Sequence, residues 1–407
     1  MSGLRTLSQT LFANVFANGL ATMGILVLAY ILSPSDMANI RVMQAYVIIG
    51  VCVGSLGFST GVLKYCVENF GAKQELSLLD RVVRINFWSA LAYVAVISLL
   101  ALPGMMIPLG DLQHYYFAVV LLCTPLMVYS ENIRNYMIAK AQFGLAANGL
   151  VVTRVLAFAI PVGCTYLWRF PGYVGATLVA AVGSAIWYFR SLDRRGIGNS
   201  HHALPDNFIR FSSYAMLGNL IVIFAAYGDM LMLNAMVSDR AQLGAYALAS
   251  VMQSGLMLLT NSVQTILLPG MIRMHAAKQE LRRYLIHKQL ILAVASIAAA
   301  LAACVVVFYG VSLIYGQQYQ LVPKIFAGLC LSYVLVSCGT LSGSVLLGAG
   351  GTSINTAVAG ASIVVGFLFV YFTIDAYGIF GMMLGKIVYG LVFCVLSNAF
   401  AFRALRD

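Results

Sequence analysis

Ionisable side chains are scarce in this chain, and those that could do chemistry stand inside long apolar runs. Lys386 lies about eight residues, or roughly 12 Å of helix, into a run that opens near residue 378, flanked by Gly381, Gly385 and Gly390 that let neighbouring backbones approach. Arg154 lies about seven residues into another run, ahead of Pro161. Asp229 follows Gly228 in a third, and Glu131 precedes Arg134 by one helical turn in a fourth. A charge at such depth is costly and usually faces a bundle interior or a water-filled cavity, where a cation can meet an anionic cargo and a carboxylate can carry a proton or sodium ion. Each has a second reading. Lys386 and Arg154 can snorkel to the nearer headgroups, Asp229 can be an interfacial carboxylate or the partner of a nearby arginine, and Glu131 and Arg134 can neutralise each other. Asn14, Asn18 and Thr22 recur every four residues and share one helix face, with Asn219 as a counterpart later in the chain. That face suits sugar hydroxyls or interhelical hydrogen bonding equally.

Other chemistries find no support. The eight cysteines are scattered without paired spacing and read as small core residues, so no metal site or disulfide framework is indicated. His114, His201, His202, His275 and His287 are all assigned to loops, the adjacent pair to a solvated linker. No cofactor is implied, and no segment is large and polar enough to be a soluble catalytic domain.

The elements that position these residues follow from composition. Hydrophobic residues make up 61% of the 407 positions and charged residues only 9%. A bilayer core of about 30 Å needs about 20 mostly apolar residues per helical crossing. The pattern predicts twelve: roughly 7–32, 40–64, 85–104, 115–138, 147–168, 172–190, 211–236, 244–269, 288–309, 324–347, 353–374 and 378–402. The runs lack the alternating polar residues of a barrel, so the fold class is an all-α membrane protein. The first run is longer than the usual signal-peptide core and ends in no clean cleavage site, so it is read as helix one.

Basic residues set the expected orientation. With the N-terminus inside, 18 of the 24 Lys and Arg fall on the cytoplasmic side, Arg41, Arg169, Arg240 and Lys324 fall opposite, and Arg154 and Lys386 lie within spans. Both termini are then cytoplasmic, and topology accounts for the +11 net charge without any nucleic acid. Trp88, Trp168 and Trp187 fall near span ends, as aromatic belts do.

The polar segment Ser191 to Asn207 divides the chain into an N-terminal six-helix bundle, 1–190, a cytoplasmic linker, 191–208, and a C-terminal six-helix bundle, 209–407. A faint repeat spans it. Ala72-Lys73-Gln74-Glu75-Leu76 recurs as Ala277-Lys278-Gln279-Glu280-Leu281, and the same offset carries Asn14 onto Asn219, while Ser35-Asp36 and Ser238-Asp239 fall at nearly that offset. An even number of helices per half makes this a parallel pseudo-repeat enclosing a central cleft, opened to either side by rocking.

Several diffuse motifs carry a family resemblance over nearly the whole chain. Ala225-Ala226-Tyr227-Gly228-Asp229-Met230-Leu231-Met232-Leu233 with Leu243-Gly244-Ala245-Tyr246-Ala247-Leu248-Ala249 resembles the seventh and eighth helices of Wzx-type polysaccharide flippases of the multidrug/oligosaccharidyl-lipid/polysaccharide (MOP) exporter superfamily. Leu268-Pro269, Tyr315-Gly316-Gln317-Gln318-Tyr319, Gly350-Gly351-Thr352 and Tyr377-Gly378-Ile379-Phe380-Gly381 are similar to further turns of that family. The resemblance implies a MATE-like fold, no enzymatic activity, and flipping of an undecaprenyl-pyrophosphate-linked oligosaccharide, O-antigen or a related surface polysaccharide, across a bacterial inner membrane. It further implies proton or sodium exchange as the driving force, with a polysaccharide polymerase and chain-length regulator as partners. The pyrophosphate and any acidic sugars would meet Lys386, Arg154 and, after them, Arg210 or Lys64, the Asn14, Asn18 and Asn219 faces would meet hydroxyls, and Asp229 and Glu131 would serve ion coupling. The related lipid II flippases carry extra helices and early basic residues, whereas here no charge separates Arg5 from Asp36. A cation-coupled drug exporter of the same superfamily is the alternative, and a membrane-embedded polysaccharide polymerase or ligase is a third reading, set back by short external loops.

Overall fold

The computed structural model describes residues 2–67, 72–102, 114–192, 204–205, 207–276, 281–348 and 352–405. Asp111, Arg194, Arg195, His201, His202, Lys278, Gly350, Gly351 and Arg406 lie outside the described residues, as do the side chains of Arg5, Lys73 and Arg273.

Among the described residues the chain forms helices and no strands. They are α1 (Ser2–Ile31), α2 (Pro34–Gly54), α3 (Phe58–Val67), α4 (Ala72–Leu100), α5 (His114–Leu121), α6 (Cys123–Ala139) and α7 (Phe143–Ser191). Beyond the linker come α8 (Phe208–Met236), α9 (Arg240–Ala276), α10 (Leu281–Tyr315) with a 3₁₀ turn at Gly316–Tyr319, α11 (Val322–Gly348), α12 (Thr352–Tyr377) and α13 (Ile379–Ala404). His114, His275 and His287 therefore stand in α5, α9 and α10 rather than in loops. Helical periodicity absorbs a polar residue at a helix end as readily as a loop does, so composition alone misplaced them.

Eleven stretches are long and apolar enough to cross a membrane among these residues, and α7 contains the twelfth crossing. Its 49 residues would reach about 74 Å if straight, more than twice a bilayer core. It is not straight. Arg169 takes φ 54° and ψ −141°, and Pro171 follows it. A Cβ on Gly172 would touch the Cys164 carbonyl oxygen, Gly183 faces Leu156, and Gly149 faces Trp187 and Tyr188. As one partner's number rises the other's falls, which is the signature of two antiparallel arms turning at Arg169. They match the expected spans 147–168 and 172–190.

The span expected at 40–64 is instead two helices. Leu56 and Gly57 adopt positive φ (50° and 69°), ending α2 and re-aiming the chain into α3. Gly57 is required twice over, since a Cβ there would run into the Ser212 carbonyl oxygen on α8. A further break at Leu122 separates α5 from α6, where Pro125 lacks the N–H that would bond back to Leu121.

Contacts group the chain into two compact units, 1–32 with 39–235, and 33–38 with 236–407. In unit 1, α7 packs on α1, α5 and α6, and α6 also packs on α3 and α4. Phe208 of α8 is fully buried against Phe58, Val62 and Leu79. In unit 2, α11 is the hub, packing on α9, α10 and α13, while α12 packs on α13.

Candidate functional site: a guanidinium-lined cavity

Unit 1 holds a cavity of about 460 Å³ whose walls are helix faces at three- and four-residue spacing. From α2 come Arg41, Gln44, Val47 and Val51, and from α6 Met127, Ser130, Glu131 and Arg134. The first arm of α7 contributes Leu150, Thr153, Arg154, Ala157, Phe158 and Pro161, and its second arm Tyr173, Thr177, Ser184 and Tyr188. Leu20, Gly24 and Leu28 of α1 and Tyr227 of α8 complete it. The hairpin in α7 is what makes this possible, because both arms then present a face to the same space.

Three guanidiniums and one carboxylate interrupt the otherwise largely apolar lining. Arg41 is 6% exposed. It donates from Nη1 to Gln44 Oε1 at 3.0 Å, and its guanidinium carbon lies 5.2 Å from the centre of the Tyr227 ring. Gln44 Nε2 in turn donates to the Tyr173 hydroxyl at 3.1 Å, fixing the amide. Arg134 and Arg154 are near enough for their charges to act on each other, with Tyr188 close to both. The Nε atoms of Arg41, Arg134 and Arg154 are all buried without a hydrogen-bond partner among the described residues. Donors of this kind are expensive to leave unmet and usually find partners. Glu131 lines the same cavity and forms no salt bridge with Arg134. Both line the cavity, within range of each other's charge.

Of the residues singled out in the sequence, the structure thus brings Arg154, Glu131 and Arg134 together. The others do not line this cavity. Lys386 is half-buried on α13 in unit 2, and its backbone carbonyl accepts a 2.8 Å hydrogen bond from Ser332 Oγ. The flanking glycines do allow close approach: a Cβ on Gly385 would lie 3.1 Å from the Gly366 carbonyl oxygen. Lys64 places its ammonium 4.4 Å from the Phe211 ring centre and 5.3 Å from that of Tyr65, while Arg210 is exposed. Asp229 is 1% exposed and accepts the Met230 N–H at 2.9 Å. Asn14, Asn18 and Asn219 are exposed.

Sequence reasoning missed Arg41, which it counted with the outer loops, and read Arg134 only as a partner for Glu131. A signal existed for the first: Arg41 and Gln44 stand three apart in an apolar run, where a polar pair on one face points to an interior. Tyr227 lay within the quoted family motif, but only as a marker of resemblance.

A chain whose described residues form helices and no strands, with twelve bilayer-length arms among them, is a multi-spanning membrane protein, and its fold is MATE-like. It is similar to the inward-facing structure of a multidrug resistance MATE family transporter of the MOP superfamily, with a TM-score of 0.76 and 14% identity over 98% of this chain and 94% of that one. It also resembles the lipid II flippase MurJ in an inward closed conformation (TM-score 0.73, 12% identity, 97% and 88% covered) and the Vibrio cholerae MATE transporter VcmN in its bent form (0.63, 16%, 99% and 97%). The solved structures named here that share this fold are MATE transporters and a lipid II flippase. Residues 27–323 match the model of a family described as polysaccharide biosynthesis protein, and the chain belongs to that family. No curated protein matches it by sequence.

Proposed function

We propose that the chain is a flippase carrying undecaprenyl-pyrophosphate-linked oligosaccharide units, of O-antigen or a related surface polysaccharide, across the bacterial inner membrane. The observation that carries this reading is the facing set Arg41, Arg134, Arg154 and Glu131. Fully ionised, these groups sum to a charge of about +2, and a pyrophosphate diester brings about two negative charges, so the guest would leave the cavity near neutrality. The three unmet Nε donors suit phosphate oxygens, which guanidinium groups bind in a planar fork. A cationic drug would add to the excess charge instead, which disfavours the exporter alternative.

On this reading Glu131, alone among the described carboxylates in lining the cavity, takes up the coupling proton or sodium ion, with the buried Asp229 as the second candidate. Two six-helix halves rock to expose the path alternately, both termini are cytoplasmic, and a polymerase with its chain-length regulator receives the flipped unit.

Deleting the gene should abolish surface display of the complete polysaccharide while lipid-linked units accumulate on the inner leaflet. Units that reached the outer leaflet but stayed unpolymerised would replace this reading with a polymerase. Reporter fusions at Arg194 and Arg406 should report cytoplasm and those at Asp111 and Gln318 periplasm; a periplasmic signal at Arg194 would reverse the orientation.

A further inference from the structure

The first turns of α10 in unit 2 carry a second cationic feature, on the outer surface and unrelated to the cavity. Arg282, Arg283, Ile286, His287 and Leu290 line a shallow surface pocket of about 540 Å³. Arg282, Arg283 and His287 are exposed, and Ile286 and Leu290 are 48% and 62% exposed. The guanidinium of Arg282 sits 6.0 Å above the Phe402 ring, which steadies the pocket against α13.

The pocket heads a continuous apolar stripe. Leu285, Leu292 and Ala300 turn inward, while Leu290, Val294, Ile297, Leu301 and Val305 are 46–64% exposed at helical spacing. Arg283 and His287 fall on that same outward face, seven and three residues before Leu290. A side chain series of this kind places cations at headgroup depth and aliphatic surface directly along the acyl chains.

Charge pairing here differs from that along α4 and at the end of α6 in unit 1. There Arg84 is held by Asp80 and Lys140 by Glu75. Here none of Arg282, Arg283 and Lys288 closes a salt bridge among the described residues, and Lys288 rests over the Tyr284 ring, 5.5 Å from its centre.

The geometry points to a binding site for one anionic phospholipid, its phosphate between Arg282, Arg283 and His287 and its acyl chain along Leu290, Val294 and Ile297. A basic pocket at the membrane surface is worth about 1 kcal/mol per Lys or Arg to an anionic lipid, or about fivefold in affinity.

The test is native mass spectrometry and thermal unfolding of the full chain in neutral detergent, titrated with phosphatidylglycerol, phosphatidylcholine or soluble glycerol phosphate. Phosphatidylglycerol should bind and stabilise, and the other two should not. Arg282→Gln and Arg283→Gln should each weaken it about fivefold, whereas Arg190→Gln, an exposed arginine at the end of α7, should leave it unchanged. Arg283 makes no ring or ion-pair contact among the described residues, so its variant tests the site even if Arg282→Gln impairs folding. Equal binding of phosphatidylcholine, an equal loss in Arg190→Gln, or binding of glycerol phosphate as tight as the lipid's would each overturn the site. The first two would reveal unspecific annular lipid and the third a soluble-phosphate pocket.

Discussion

Each unit carries a polar cluster inside its helix packing, and the side chains of these two clusters are treated in opposite ways. In unit 2 they are matched to one another across α11. Gln289 Nε2 donates to Asn398 Oδ1 at 2.8 Å and to the Cys338 carbonyl, Ser342 Oγ donates to the same Asn398 oxygen at 2.8 Å, and Asn398 Nδ2 donates to the Cys394 carbonyl at 2.8 Å. On the side of α11 that meets α9, Thr260 pairs with Ser337 at 2.9 Å and Gln264 Nε2 donates to Ser344 Oγ at 2.8 Å. In unit 1 the strongest donors, the guanidiniums of Arg41, Arg134 and Arg154, keep buried Nε atoms without partners among the described residues. Without water, a polar group is either used for holding helices together or held ready for something that arrives. The contrast separates structural polarity in unit 2 from the receptive polarity of the cavity.

Removing a receptive group should break function most and stability least. Arg154→Ala deletes one cation facing the cargo, and an anion left short of its partner in such a site loses about 3–5 kcal/mol, more than about a hundredfold in affinity. Polysaccharide display should fail at normal protein levels, while thermal stability holds or rises because an uncompensated buried cation has gone. Arg41→Ala and Arg134→Ala should behave alike. Full display in all three would remove the cavity from the transport path.

Lys386 tests whether a receptive cation also exists outside the cavity. Its half-buried ammonium on α13 should matter if anionic cargo passes it, so Lys386→Ala should fail to restore display and Lys386→Arg should restore it at least partly. Equal restoration by alanine and lysine would mark a snorkelling side chain and confine the cationic path to unit 1.

How far the residues themselves announced this arrangement depends on which property is asked. Span number was legible because apolar length is local, and even the turn in α7 showed as two separate runs meeting near Pro171. The bend at Leu56–Gly57 was not, since a glycine within an apolar run is common and only the approach of Ser212 from α8 makes this one indispensable. For the cavity, Arg154 and Glu131 stood out by depth in a span, which sequence records. Arg41 did not, because seven residues from a helix start is compatible with both a headgroup contact and an interior. Which of those wins depends on Gln44, Tyr173 and Tyr227 converging from three helices, a tertiary fact.

A structural group should show the reverse of the arginine pattern. Asn398→Leu takes one acceptor each from the Gln289 amide and the Ser342 hydroxyl, which keep the Cys338 carbonyl and Gln289 Oε1, and each lost hydrogen bond costs about 1 kcal/mol, nearer about 0.6 kcal/mol between membrane helices. The thermal midpoint should fall, with activity per folded molecule near the parent's. A loss of activity at unchanged stability would move this network from glue to site and dissolve the contrast between the units.

The smallest effect is expected at the asparagine faces, where the two readings of the sequence are separable by experiment. Asn18 is exposed and its carbonyl accepts the Thr22 hydroxyl one turn on, at 3.1 Å, a bond that survives side-chain truncation. Asn18→Ala should therefore change stability by no more than about 0.5 kcal/mol, as exposed substitutions do. Its effect on transport is then a clean reading. If Asn14, Asn18 and Asn219 meet sugar hydroxyls, each alanine variant should slow display modestly and the triple variant should slow it further, while protein level and unfolding midpoint stay at the parent's. A triple variant that transports at the parental rate would leave recognition to the guanidiniums alone, and one that unfolds early would show that these amides hold helices together.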